Sequence, residues 1–210
     1  MGELLVSIAT ISLSVVAIII NIHQNIEIKK QNLFDRRLKL YLELMDLVNL
    51  YQNNQSILEK IDPKSVDFEF SLITNSSNLY MLADIMQNPL DYQKKVMFLT
   101  ACENIRKDAQ EFRFIYKKKY TKCADFIEAY ANMIQQFHKQ QVLIKKIEEH
   151  VKSGVYTSGE PLENDYVYKE CTKLANSENG LFSAIHNIKE LYEEIQNKKI
   201  LEKIEKTIKF

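Results

Sequence analysis

Residues 4 to 22 read LLVSIATISLSVVAIIINI, and the uncharged run around them extends from Leu4 to Ile26. A bilayer core of about 30 Å is crossed by about 20 predominantly apolar helical residues, whereas a surface helix of a globular domain carries a polar face along its length. The run therefore predicts an uncleaved membrane-spanning helix. A secretory leader would place Lys or Arg ahead of the apolar stretch and small residues at a cleavage site behind it. Here Glu3 precedes it, and Asn21, Ile22, His23 and Gln24 close it. Val6 occupies the position where N-terminal myristoylation needs Ser or Thr, so a lipid anchor is not called for.

Lys29, Lys30, Arg36, Arg37 and Lys39 follow the span, and no cation precedes it. Basic residues are retained on the cytoplasmic side, which predicts a single-pass protein of a cell inner membrane or plasma membrane, its N-terminus outside and its C-terminal bulk cytoplasmic. The same collar would meet anionic headgroups, each cation near the surface contributing about 1 kcal/mol. Cys102, Cys123 and Cys171 are odd in number and widely spaced, which fits reduced thiols in the cytoplasm. Within the span, Ser7, Thr10, Ser14, Ala17 and Asn21 follow one another at alternating steps of three and four. They form one helical stripe of small and hydroxyl side chains, the kind of face through which membrane helices approach closely. The stripe predicts a homo-oligomer.

The chain has 210 residues, of which 46% are hydrophobic, with 28 Lys+Arg against 28 Asp+Glu, 4 Gly, 3 Pro and no Trp. That apolar fraction supplies a real core. So few glycines cannot furnish the turns of a multi-stranded sheet or a phosphate-cradling loop. A charge balance of zero is unlike that of a domain whose main task is to neutralise phosphate. The fold class expected is all-α: an N-terminal transmembrane helix continuing into an extended cytoplasmic helical bundle.

Neither Gly nor Pro occurs between Gly2 and Pro63. One helix from Leu4 to about Gln52, roughly 73 Å at 1.5 Å per residue, is expected, its inner seam passing through Leu33, Leu40, Leu44 and Leu47. Asp62-Pro63 ends it. A second helix is read over Phe68 to Gln87, and Pro89 suits the first turn of a third. Phe98, Cys102, Ile105, Ala109, Phe112 and Tyr116 make one seam at steps of three and four. Phe126, Tyr130, Met133, Phe137, Gln140, Ile144, Ile147 and Val151 make another, and the two could belong to one long helix interrupted only at Lys117 to Lys122. Gly154 to Pro161 reads as a loop, Asn164 to Ala175 as a helix, Asn176 to Gly180 as a break, and Leu181 toward Ile208 as the last helix. Such alternation belongs to long helices packed at shallow angles, as in bundles and coiled coils. The domain division is an anchor at 1–26, a juxtamembrane helix or stalk at 27–62 and a bundle at 63–210.

Chemistry is sparse along this pattern. His23, His138, His150 and His186 have no partner at metal-ligand spacing, the thiols form no CxxC pair, and no Cys has a neighbouring His. The Arg-x4–6-His signature of helical HEPN ribonucleases is absent. No catalytic residue, metal or cofactor is expected, and the chain reads as non-enzymatic. Lys117, Lys118, Lys119 and Lys122, with Arg113 before them and Phe114, Tyr116 and Tyr120 among them, could contact single-stranded nucleic acid through phosphate and stacking. Solvated lysines beside core aromatics are the favoured reading of this segment. Lys198 to Phe210 is a basic amphipathic tail for which bundle packing is favoured over membrane contact.

Phe34, Asp35, Arg36, Arg37 and Tyr41 resemble the Phe-Asp-Lys/Arg-Arg-x3-Tyr segment that follows the anchor in small single-span bacterial membrane proteins, mostly of unassigned function, some associated with phage defence. The resemblance covers the N-terminal 40 or so residues. It implies a bacterial membrane-anchored protein with a link to phage defence; the span, the stripe and the long seams lead to the fuller expectation, a non-enzymatic helical protein that self-associates or recruits a protein partner at the inner face of a bacterial membrane, as a phage-defence sensor or effector. A membrane-tethered nucleic-acid binder using Lys117 to Lys122 is the alternative. The bilayer itself is the first partner on either reading.

Overall fold

An uninterrupted stretch of good helix formers becomes an uninterrupted helix. In this computed structural model, which describes residues 2–60, 84–85, 88–153 and 166–208, α1 runs over Gly2–Leu58 and closes in a turn through the Glu59 N–H to Gln55 carbonyl bond of 2.9 Å. The expected stop at Asp62-Pro63, most of the helix read at Phe68 to Gln87 and the loop at Gly154 to Pro161 lie outside the described residues. The remaining elements are α2 (Tyr92–Ile115), a short 3-10 turn at Lys118–Tyr120, α3 (Thr121–Lys152), α4 (Tyr166–Ala175), α5 (Leu181–Asn197) and α6 (Ile200–Ile208). Every element among the described residues is helical.

The backbone packs as two compact units, Met1–Lys39 and Leu40–Phe210, and α1 contributes to both. In the second unit α3 is the hub, packed by α2, α4 and α5. Phe126, Tyr130, Met133, Phe137 and Gln140 are buried as their spacing predicts, but so are Cys123, Ala124, Ile127, Ala131 and Ile134 on the other sides. A helix apolar nearly all round is a central helix. Between Thr121 and Gln141 its most exposed residues follow one stripe, Lys122, Asp125, Glu128, Asn132, Gln135 and Lys139. The end of α1 joins this core: Leu40, Leu44, Leu47, Val48 and Tyr51 are buried. The Tyr51 ring meets Phe126 edge-on at 6.3 Å and lies 4.6 Å from Tyr192, while Gln52 Nε2 donates to Tyr192 Oη at 2.8 Å. The sequence-based stalk at 27–62 thus differs from the packing, which places Leu40 to Leu58 in the bundle core.

Three helix boundaries depart from expectation, each for a local reason. Pro89 precedes α2 rather than opening it; Asp91 is the N-cap, its carboxylate accepting the Lys94 N–H at 3.0 Å. The two central seams are not one helix. Tyr116 and Lys117 are extended, with ψ near 150°, and this turn carries both Tyr116 and Tyr120 into the core. The last helix is likewise two: the chain breaks at Lys198 and Lys199, the latter at φ 48, so that Ile200, Ile204 and Ile208 of α6 reach the core. The C-terminal stretch packs in the bundle, with the Tyr120 hydroxyl donating to the Lys203 carbonyl at 3.3 Å. The break before α5 is set by Gly180, where a β-carbon would run into the carbonyl oxygens of Leu174 and Ala175.

Candidate functional site

The first unit exposes what a soluble helix hides. Every residue from Thr10 to Leu33 is exposed, including Ile11 at 65% and Leu13 at 71%, and the helix is long and apolar enough to cross a membrane. Two members of the small-residue stripe differ in how their polar groups are satisfied. Ser14 Oγ donates to the Thr10 carbonyl at 2.8 Å, within its own helix. The Asn21 carboxamide is exposed and bonds to no described residue. Ala17 is exposed on the same face, and the Ser7 side chain lies outside the described residues. Of the basic collar, Lys30 lies 2.8 Å from Glu27 on the surface, a pair worth about 0–1 kcal/mol. Lys29, Arg36 and Lys39 are exposed and Arg37 is half-buried.

The second unit resolves the lysine-rich segment between α2 and α3. Tyr116 and Tyr120 are buried; the Tyr116 ring stacks on Phe112 at 4.2 Å and meets Tyr120 edge-on at 6.2 Å. They belong to the core and offer no face to a base. Arg113 is taken up by Asp125 at 3.0 Å and Glu128 at 2.6 Å; these two carboxylates hold its guanidinium more firmly protonated still. Lys122 pairs with Glu194 at 3.2 Å. Glu194 also meets Lys198, and the hydrogen bonds from Lys198 and Lys122 lower its pKa. Lys117, Lys118 and Lys119 remain on the surface, with Lys119 Nζ 4.7 Å above the Tyr120 ring and Phe114 89% exposed nearby in sequence.

Two recesses follow the polar stripe of α3. One, of about 580 Å³, is charged and lined by Arg106, Arg113, Lys122, Asp125, Glu128, Asn132 and Asn187. Its charges largely answer one another, and Arg106 donates to the neutral Gln135 at 2.7 Å. The other, of about 370 Å³, is apolar and lies where α2, α3 and α4 meet. Sequence reasoning located neither, because each gathers residues from three helices far apart in the chain. Cys102 and Cys123 are buried, and burial pushes both thiols up to about 12, leaving them protonated and poor nucleophiles. Among the described residues no three His, Cys, Asp or Glu side chains gather as metal ligands would. No model of a known family, no curated protein and no solved structure matches this chain.

Proposed function

We propose that this chain is a membrane-anchored, non-enzymatic helical protein that self-associates through its N-terminal span and holds its bundle at the inner face of a bacterial membrane. The observation that carries the reading is the exposed apolar surface from Thr10 to Ile28, on which Asn21 presents an unbonded carboxamide. Apolar side chains on every side need lipid, and an amide in lipid needs a partner amide; such interhelical bonds contribute about 0.6 to 2 kcal/mol. Ser14, already bonded to Thr10, contributes small size rather than a free hydroxyl. The basic collar from Lys29 to Lys39 supports the cytoplasmic placement of the bundle. The resemblance at Phe34 to Tyr41 supports a role as a phage-defence sensor or effector.

Energy transfer between donor- and acceptor-labelled copies in phosphatidylcholine vesicles tests the association. The full-length chain should transfer energy in a dilution-dependent way, and Asn21→Leu should weaken association about 3- to 30-fold. A strictly monomeric chain would end the proposal. Phe114, exposed beside Lys117 to Lys119, keeps a second reading as a tethered nucleic-acid binder. Binding of a labelled single strand that survives Phe114→Ala with Lys117, Lys118 and Lys119→Glu would remove it.

A further inference from the structure

The apolar recess at the second end of the α3 stripe is built unlike the charged one. Its floor is Phe98 and His138, both buried, with ring centroids 4.9 Å apart. His138 Nε2 lies 3.2 Å from the Pro89 carbonyl; a carbonyl only accepts, so this nitrogen carries the proton. Burial lowers the imidazole pKa, so the floor is neutral. Leu99, Val142 and Leu174 form the walls, and Lys95 and Lys139 stand at the mouth.

Several cations of the bundle are answered by carboxylates. Lys94 pairs with Asp84, Arg113 with Asp125 and Glu128, Lys122 with Glu194 and Lys189 with Glu59. Lys95 and Lys139 are exposed, and their ammonium groups form no hydrogen bond or ion pair with any described residue. Two unanswered cations at the rim of an apolar cavity are complementary to one kind of molecule: a hydrocarbon with an anionic end. Sugars and nucleotides would leave their polar groups unpaired against Leu99, Val142 and Leu174, at a cost for each. At about 370 Å³ the recess lies at the small end of ligand pockets, which suits a molecule with one hydrocarbon chain better than a two-chain lipid.

We propose that this cavity binds a free, single-chain fatty carboxylate, its chain lying between Phe98, Val142 and Leu174 and its carboxylate between Lys95 and Lys139. The proposal concerns the bundle alone and is independent of whether the span self-associates.

The full-length chain in phosphatidylcholine nanodiscs, titrated with dodecanoate labelled with ¹³C at the carboxyl, provides the test, with empty nanodiscs to measure simple partition. One equivalent should bind saturably, giving a carboxyl resonance distinct from that of dodecanoate in the lipid. Lys95→Glu with Lys139→Glu should weaken binding at least about tenfold, since both head-group contacts become repulsive. These positions are on the surface, so the fold tolerates the exchange. Val142→Trp, filling the chain site, should abolish saturable binding while circular dichroism stays unchanged; butyrate and dodecanol should bind far more weakly than dodecanoate. If dodecanoate shows only the partition seen in empty nanodiscs, or binds saturably with equal affinity to the wild type and to the double charge reversal, the assignment is overturned.

Discussion

Within α1, two stretches of nearly equal length use apolar residues in opposite ways. From Thr10 to Ile28 the Ile, Val and Leu side chains are exposed, while from Leu40 to Leu58 every leucine except Leu42 is buried, Leu44 and Leu47 completely. Helix propensity does not separate them, since both are helical. The difference lies in pattern. The first stretch carries Ile, Val and Leu around most of its circumference, broken only by the narrow stripe of Thr10, Ser14, Ala17 and Asn21 before polar residues begin at His23; the second sets Leu40, Leu44, Leu47 and Tyr51 on one side, with Asn49, Gln52 and Asn53 exposed on the other. A stripe is buried by protein, whereas a helix apolar around most of its surface is of the kind a bilayer can bury, as proposed for this one.

The sharpest way to break this comparison is to make the same truncation in both stretches. Leu47→Ala should cost the bundle about 2–5 kcal/mol, from lost transfer energy and the cavity left behind. Ile19→Ala should leave unfolding of the bundle unchanged within about 0.5 kcal/mol. Urea titration in nanodiscs, followed by circular dichroism, measures both; equal losses would mean that the first stretch is packed like the second. Charge makes the converse test. Ile19→Arg should oppose insertion by about 2.5–3.5 kcal/mol, and Asn49→Arg, on the solvated face of the second stretch, should stay within about 0.5 kcal/mol. Carbonate extraction of membranes reads the first effect and thermal melting the second.

The buried seam contains a misfit that sharpens the contrast with the exposed one. Tyr130 is fully buried in α3, and its hydroxyl has no hydrogen-bond partner among the described residues, whereas the Asn21 amide, which bonds to no described residue, stands on an exposed surface where a second helix can reach it. A buried polar group without a partner costs about 1–3 kcal/mol. Tyr130→Phe should therefore stabilise the bundle by about 1 kcal/mol or more, raising its melting temperature, while Asn21→Leu should change association and leave that temperature unmoved. A destabilised Tyr130→Phe would show that the hydroxyl is satisfied after all.

What the sequence discloses about these regions follows the range of the interactions that set them. The long apolar N-terminal helix, the seam from Phe98 to Tyr116 and the break at Asn176 to Gly180 are written in composition, in neighbours three and four apart or in a single Gly, and the structure has each of them. The breaks after Ile115 and after Asn197 contain neither Gly nor Pro. They exist because Tyr116, Tyr120 and Ile200 gain burial by leaving the helical path, a tertiary preference strong enough to hold Lys199 at positive φ. Solvated lysines beside core aromatics are legible at the lysine-rich segment, but the partners of its cations are not: Asp125 and Glu128, which answer Arg113, are 12 and 15 residues away, and Glu194, which answers Lys122, lies in another helix. Pairing of this range leaves no local signature, and neither does the apolar recess of α2, α3 and α4.

Histidines supply the finest comparison, because His23 lies in the exposed stretch and His138 in the core. Burial lowers the His138 pKa; Lys95 lowers it further, and the Pro89 carbonyl opposes them. In the unfolded chain the imidazole takes up its proton near pH 6.5. As pH falls through that value the unfolded state therefore binds more protons than the folded one, and stability declines with falling pH until the folded-state value is passed. Above about pH 6.5 both states are neutral and His138 contributes no slope. One proton limits the effect to about 1.4 kcal/mol per pH unit. Melting temperatures of the bundle at pH 7.5 and 5.5 should thus drop on acidification, and His138→Gln should flatten that drop even if it lowers both values. A slope that persists in His138→Gln would place the titrating group elsewhere and make the floor of the apolar recess an ordinary, solvated imidazole rather than a neutral wall.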